Sequence, residues 1–269
     1  LGGDAFAIDC EIASGAKETS VRFMILGPLE IVDQNIPIKI TASMQRLVLA
    51  VLLLNVGRPV SVEQMVTDFW GDRPPASARK TVHGYVWRLR GLLDRSCHQH
   101  IETVDNGYRL QADDVDSVRF ERLYRAARQA SAAGDPASAV RLLSEALDLW
   151  RGPALSNVPT TPQIALSCTR LEELRLSALA ARFDTGLEMG QHHVITPELR
   201  VMVIEYPLNE AFHAQLMLSL YRSHRPAEAL DVFYKLRSYL VNELGVEPSP
   251  SLQELFLRIL ANDCQLAVT

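Results

Sequence analysis

Ala76-Ser-Ala-Arg-Lys-Thr-Val-His-Gly-Tyr-Val-Trp-Arg-Leu-Arg-Gly-Leu-Leu93 is the stretch from which the fold is read. On a wheel of roughly 100° per residue, Val82, Val86, Leu89 and Leu93 fall within about a third of a turn, which predicts an amphipathic helix with one buried stripe. The opposite side carries Ser77, Lys80, Gly84, Trp87 and Arg88, with His83 and Arg90 on one flank. Arg73, Arg79, Lys80, Arg88 and Arg90 all lie between Asp72 and Asp94, with no acid among them, in a chain of formal net charge −5. A local inversion of sign points to a phosphate backbone, and the polar groups interleaved with the cations can reach base edges. This is the pattern of a recognition helix, and if about five cations meet phosphates, log K falls with log salt at a slope near −4 to −5.

The flanking residues place that helix in a fold. Asp72-Arg-Pro-Pro75 is a loop, since two prolines cannot sit inside a helix. Ahead of it, Ser61 with Gln64 three residues on is a capping box for a helix ending near Trp70-Gly71. Earlier still, Thr41 or Ser43 is the expected cap of a helix running through Leu47, Val48, Val51 and Leu52 to Asn55-Val-Gly57. Val21-Arg-Phe-Met-Ile-Leu26, Leu29-Glu-Ile-Val32 and Ile36-Pro-Ile-Lys-Ile40 read as short strands of an antiparallel sheet. After the basic helix, Ile101-Glu-Thr-Val104 and Tyr108-Arg-Leu110 flank Asp105-Asn-Gly107, a strong hairpin signal. A sheet, three helices and a terminal hairpin make a winged helix-turn-helix.

From Asp113-Asp114 onward the periodicity is helical, with helices expected near 117–133, 136–150, 163–189, 196–205, 209–223, 226–244 and 250–262. Asp135-Pro-Ala-Ser-Ala-Val-Arg-Leu-Leu143 and Arg225-Pro-Ala-Glu-Ala-Leu-Asp-Val-Phe233 share Pro and Ala at the same offsets, so helix pairs repeat in a tetratricopeptide-like array of about three pairs. Leu142, Leu143, Ala146 and Leu149, with Leu171, Leu174, Leu179, Phe183 and Leu187, read as inter-helix core, as do Trp70 and Trp150. The fold class is therefore mainly α with a small β part. Residues 1–20 are expected to be a disordered leader, 21–112 a winged-helix DNA-binding domain and 113–269 an all-α repeat domain.

Charge follows this division. Residues 21–110 hold 11 Lys and Arg against 8 Asp and Glu, whereas residues 111–269 hold 15 against 20. A pI near 5.8 excludes a nonspecific DNA coater, which needs positive charge over much of its surface, but not a localised reader. Four scattered cysteines without a CxxC pair indicate neither a disulfide framework nor a zinc ribbon. No apolar run reaches the roughly 18 residues of a membrane span, and no secretory signal is visible, so the expected location is cytoplasmic. Cys97, His98 and His100 are close in sequence but lack a fourth ligand, and His192-His193 reads as an inter-helix loop. No cofactor or metal is expected. There is no GxSxG, HExxH or GxxxxGK[ST], so an enzyme is not indicated.

Several further motifs occur in a fixed order: RLVLAVLLLN from Arg46 to Asn55, Val60-Ser-Val62, Phe69-Trp-Gly71, Pro74-Pro-Ala-Ser-Ala78, Val86-Trp-Arg-Leu-Arg90 and Gly107-Tyr-Arg-Leu110. In the second half stand Leu149-Trp-Arg-Gly152, Leu171-Glu-Glu-Leu-Arg175, Pro207-Leu-Asn-Glu210 and Glu243-Leu-Gly-Val-Glu-Pro248. Over residues 21–262 the chain resembles the Streptomyces antibiotic regulatory protein (SARP) family in its small form, an OmpR-like winged helix followed by a bacterial transcriptional activation domain. The resemblance implies an activator that binds tandem direct repeats in double-stranded promoter DNA of secondary-metabolite gene clusters. It also implies head-to-tail self-association on that DNA and recruitment of RNA polymerase holoenzyme with its housekeeping sigma factor. It assigns DNA contact to Lys80, Gly84, Tyr85, Trp87, Arg88 and Arg90, with Ser77, Arg79 and Thr81 as neighbours.

Two positions depart from the family. Trp87 stands where members usually carry a small polar residue and related response-regulator effector domains an arginine, and an indole suits a thymine methyl or deoxyribose rather than a bidentate base contact. Asp105 stands where the wing is often basic, which leaves groove contacts to Thr103, Asn106 and the Gly107 amide. A helical-repeat interaction scaffold whose winged helix does not read DNA is the alternative, and it predicts no DNA affinity at low salt.

Overall fold

The computed structural model describes residues 21–93 and 100–266. The expected leader, residues 1–20, and the Cys97-His98 pair lie outside the described residues. β1 (Arg22–Met24), β2 (Glu30–Asp33) and β3 (Ile36–Ile38) form an antiparallel meander. Pro37 is tolerated because β3 is an edge strand, where a missing N–H breaks no ladder. α1 (Ser43–Leu54), β4 (Pro59–Ser61), α2 (Val62–Trp70) and α3 (Ala78–Leu93) follow, then β5 (Ile101–Val104) and β6 (Gly107–Leu110). β4, β6 and β5 make a second antiparallel sheet in that order, which is the wing.

α1 is almost wholly buried from Leu47 to Leu53 and forms the centre of the first core. Neither Thr41 nor Ser43 caps it. The chain enters through Ala42, whose backbone carbonyl accepts from Gln45 and Arg46, and the Arg46 guanidinium reaches back to the carbonyls of Ile40 and Thr41. No side chain caps its first amides; Arg46 instead ties the entering segment to the helix by donating to that segment's carbonyls. Ser61 does cap α2, accepting from the Gln64 amide at 3.1 Å.

The remaining chain is helical apart from β7 (Asp114–Val115): α4 (Asp116–Ala132), α5 (Pro136–Leu147), α6 (Pro162–Glu188), α7 (His192–Glu205), α8 (Glu210–Arg222), α9 (Pro226–Tyr239), a π-helical turn (Leu240–Leu244) and α10 (Pro250–Leu260). The two segments matched in sequence open α5 and α9; of their two shared alanine pairs, Ala137 and Ala227 are exposed and Ala139 and Ala229 are fully buried. A side chain no larger than alanine lets α5 close on α4 and α9 on α8.

Two boundaries differ most from expectation: α5 ends at Leu147 rather than near 150, and α7 starts four residues early. Pro197 predicts a helix start at 196, yet α7 begins at His192, so His192-His193 is the first turn of a helix and not a loop. Pro197 offers no N–H to the carbonyl four residues back, but burial of Ile195 against Gly186 draws residues 192–196 into the helix. The His192 carbonyl accepts from the Thr196 and Ser219 hydroxyls at 2.7 and 2.9 Å.

The halves interlock. β7 pairs in parallel with β1, so the second half begins by adding an edge strand to the first half's sheet. Asp116, the first residue of α4, is buried and accepts from the amides of Ile25 and Leu26 at 2.8 to 2.9 Å, with Arg151 Nη2 at 3.8 Å. Burial lifts its carboxyl above the ordinary range, and the backbone donors and Arg151 only partly counter this. Asn157 both accepts from the Leu29 amide (2.7 Å) and donates to its carbonyl (3.2 Å). Gly27 holds a φ of +150°, which strains any L side chain, and a Cβ there would in addition lie 3.0 Å from Arg151 Cβ. Leu26 sits in the core formed with Phe120, Leu143 and Leu171, while Leu155, Val158 and Ile164 sit in the core of the winged half.

Candidate nucleic-acid interface

α3 is set by its loop. The carbonyl of Pro75 accepts from the Ala78 amide, and that of Ser77 from both the amide and the hydroxyl of Thr81, each at 2.9 Å, which closes the first turn. Ala78, Val82, Val86, Leu89 and Leu93 are buried, and Ser77, Lys80, Trp87 and Arg88 are exposed on the other side. Trp87 is 75% exposed, which removes core packing as its role. Gly84 is half-buried, and the space a side chain would take there is open. Arg73, Lys80 and Arg88 form no ion pair or hydrogen bond with any described residue.

Other residues grouped with these by sequence have partners within the fold. Arg79 pairs with Glu63 of α2 at 2.9 Å, so the cations of this stretch are not all uncompensated. Arg90 donates from Nε to the Ile101 carbonyl (2.9 Å) and from Nη2 to the Thr103 hydroxyl (2.8 Å), and its guanidinium lies 5.5 Å from the Tyr108 ring centre. His83 Nδ1 meets the Tyr108 hydroxyl at 2.5 Å. Burial raises the Tyr108 phenol above its ordinary pKa, with Arg90 opposing, so it stays protonated. Tyr85 is half-buried against the core. Arg90, His83 and Thr103 therefore join the helix to the wing and hold the two at a fixed angle.

The wing turn comprises Asp105, at φ 39°, and Asn106, both exposed. Gly107 is the first residue of β6, with Val104 as its partner, and its φ is not positive. It is needed for a different reason: a Cβ would lie 2.1 Å from the Val60 carbonyl oxygen and 2.8 Å from Ser61 Cα. The Asn106 carbonyl accepts from the Val62 amide at 3.0 Å, which pins the start of α2 to the wing tip.

The two sides of α3 differ in charge. Towards the wing lies a cleft of about 220 Å³ lined by Glu63, Arg79, His83, Asp105 and Asn106, in which both acids offset the cation. Towards α1 lies a groove of about 700 Å³ lined by Lys39, Thr41, Gln45, Trp87, Arg88 and Gly91, with no acid. Lys39 is exposed and unpaired. Sequence reasoning missed it because it stands alone among isoleucines and joins Arg88 only through the packing of α1 against α3. Among the described residues, no three His, Cys, Asp or Glu converge to hold a metal, and no helix is long and apolar enough to cross a membrane.

Comparison with known proteins gives a consistent result. A family model described as the bacterial transcriptional activator domain matches residues 115–260, and one described as transcriptional regulatory protein, C terminal, matches residues 37–110. Regulatory protein DnrI of Streptomyces peucetius is 38% identical over 253 residues, covering 90% of this chain and 93% of DnrI. Regulatory protein AfsR of Streptomyces coelicolor is 39% identical over 258 residues, 95% of this chain but only 26% of AfsR, so the chain spans about a quarter of that protein. A solved structure of Mycobacterium tuberculosis EmbR in complex with a low affinity phosphopeptide superposes with a TM-score of 0.87 at 33% identity, covering 91% of this chain and 66% of EmbR.

Proposed function

The chain belongs to the SARP family, whose members are transcriptional regulators and not enzymes, and on that premise we propose that it is a sequence-specific activator of a secondary-metabolite gene cluster. It acts in the cytoplasm, where residues 21–112 read tandem direct repeats in promoter DNA and residues 113–269 recruit RNA polymerase holoenzyme. α3, 16 residues and so about 24 Å long at 1.5 Å per residue, enters the major groove. The observation that carries the reading is the face on which Lys80, Trp87 and Arg88 are exposed and unpartnered, with Lys39 alongside. Arg88 reads a base, Lys80 and Lys39 neutralise phosphates, and Trp87 lies on a thymine methyl or sugar. Direct repeats set two copies head to tail, a heterologous contact that need not persist off DNA, so the protein is a monomer in solution. A stable isologous dimer without DNA would contradict this.

The test is binding of the intact protein to a genomic promoter library at two salt concentrations. With Arg79 in a surface ion pair with Glu63 and Arg90 bound to the wing, Arg73, Lys80, Arg88 and Lys39 are left for phosphate and base contacts, and the expected slope is about −3 to −4 per protomer. Arg88→Ala is expected to cost about 1–3 kcal/mol on the enriched repeat and little on random duplex, whereas Lys80→Ala weakens both alike. Equal losses for Arg88→Ala on both duplexes would remove its base-reading role. Absence of binding at low salt would leave the protein-scaffold alternative.

A further inference from the structure

The helical half has a net excess of acids, and 11 of its 15 Lys and Arg are internally satisfied. Every Lys or Arg from residue 113 to 266 outside α4 is paired with a carboxylate or, for Arg222, donates to two backbone carbonyls. The exceptions are Arg119, Arg122, Arg125 and Arg128, all exposed, all on α4, and without an ion pair or hydrogen bond to any described residue. At three-residue spacing each steps back by roughly 60° from the last, so the row winds across the solvent face of the helix. Alongside the row, α4 and α6 leave a groove of about 480 Å³ with Tyr124, Ala132 and Leu174 in its wall and Arg125, Arg128 and Arg170 among its cations. Arg170 is held to Glu121 at 3.0 Å, so Arg125 and Arg128 are its unneutralised charges.

We propose that this face of α4 and its groove dock an acidic, amphipathic segment of a protein partner. Apolar side chains of the segment lie on Tyr124, Ala132 and Leu174, and its carboxylates pair with Arg125 and Arg128, whose planar forks suit carboxylate geometry. A nucleic acid is the less favoured occupant for two reasons. α4 is carried by β1, β7, α5 and α6, whereas α3 is carried by α1 and α2, so the two helices rest on different supports. The apolar wall of the groove also offers nothing to a phosphate backbone. The surface is separate from the DNA-reading face and stands or falls independently of it.

The test uses the intact protein and a set of labelled acidic peptides carrying Leu and Phe at helical spacing, with promoter DNA binding measured in parallel. The wild type is expected to bind the peptides, and R125E/R128E to bind them about tenfold more weakly with unchanged DNA affinity. R141Q, which removes a paired arginine on α5, leaves both affinities unchanged. R122Q/R125Q, with a smaller loss expected, serves if the charge-reversed variant does not fold. No peptide binding, or equal binding by wild type and R125E/R128E, would overturn the proposal. A loss of DNA affinity in R125E/R128E with peptide binding unaltered would give the face to phosphate and overturn it as well.

Discussion

Gly107 shows how a single residue can be read correctly for an incomplete reason. Asp105-Asn-Gly107 marks a hairpin because glycine accepts positive φ, but here Asp105 takes that conformation, and Gly107 is needed because Val60 and Ser61 of β4 press on its Cα. Gly107→Ala therefore drives a methyl into backbone and displaces β4, and with it the strand that leads into the Ser61 cap. The expected cost is about 2–3 kcal/mol, measured by urea unfolding; a change below about 0.5 kcal/mol would mean that the wing can move away freely. The same limit explains the site residues. Lys80, Trp87 and Arg88 were legible because helix periodicity alone fixes their side. Lys39 was not, and neither was the neutralisation of Arg79 by Glu63, since both depend on how separate elements pack.

At the scale of elements, long periodic helices were legible to within a few residues, and the shortest pieces were not. β4 and β7 have three and two residues with no longer apolar run around them, unlike β1 and β3, and exist because β6 and β1 hold them. β7 leads into α4 through Asp116, whose carboxylate fixes the amides of Ile25 and Leu26. Its pH behaviour follows from the raised folded-state pKa. The folded protein holds this proton more tightly than the unfolded chain, so the contribution of the group favours folding in acid. It declines as pH rises from the ordinary value of 3.8 through the folded value. The Tm advantage of wild type over Asp116→Asn is thus expected to be largest near pH 4 and to shrink as pH rises; an advantage that grows with pH would show the hydrogen bonds and Arg151 outweighing burial.

For the whole molecule, sequence supplied the two architectures but not their mutual fit, because that fit rests on contacts of about ninety residues or more in separation, such as Asp116 with Ile25 and Asn157 with Leu29. Leu26 in one core and Leu155 in the other make each half part of its neighbour's interior. Calorimetry should accordingly show one cooperative transition. Asn157→Ala leaves the Leu29 amide without its partner, so it is expected to lower that transition as a unit, by about 1–3 kcal/mol. Two resolved transitions would mean the halves unfold separately. The parallel pairing of β7 with β1 also bears on how such proteins can be recombined. A hybrid joined just before Asp113, the point where charge and composition change, would set a foreign β7 and Asp116 against the recipient's own β1 and Ile25-to-Leu29 loop, and a β7 that fails to pair there leaves the β1 edge open to another chain. Modular exchange between relatives would have to carry β7, Asp116 and the facing Ile25-to-Leu29 loop together, so the unit that can be traded is larger than the unit that reads DNA.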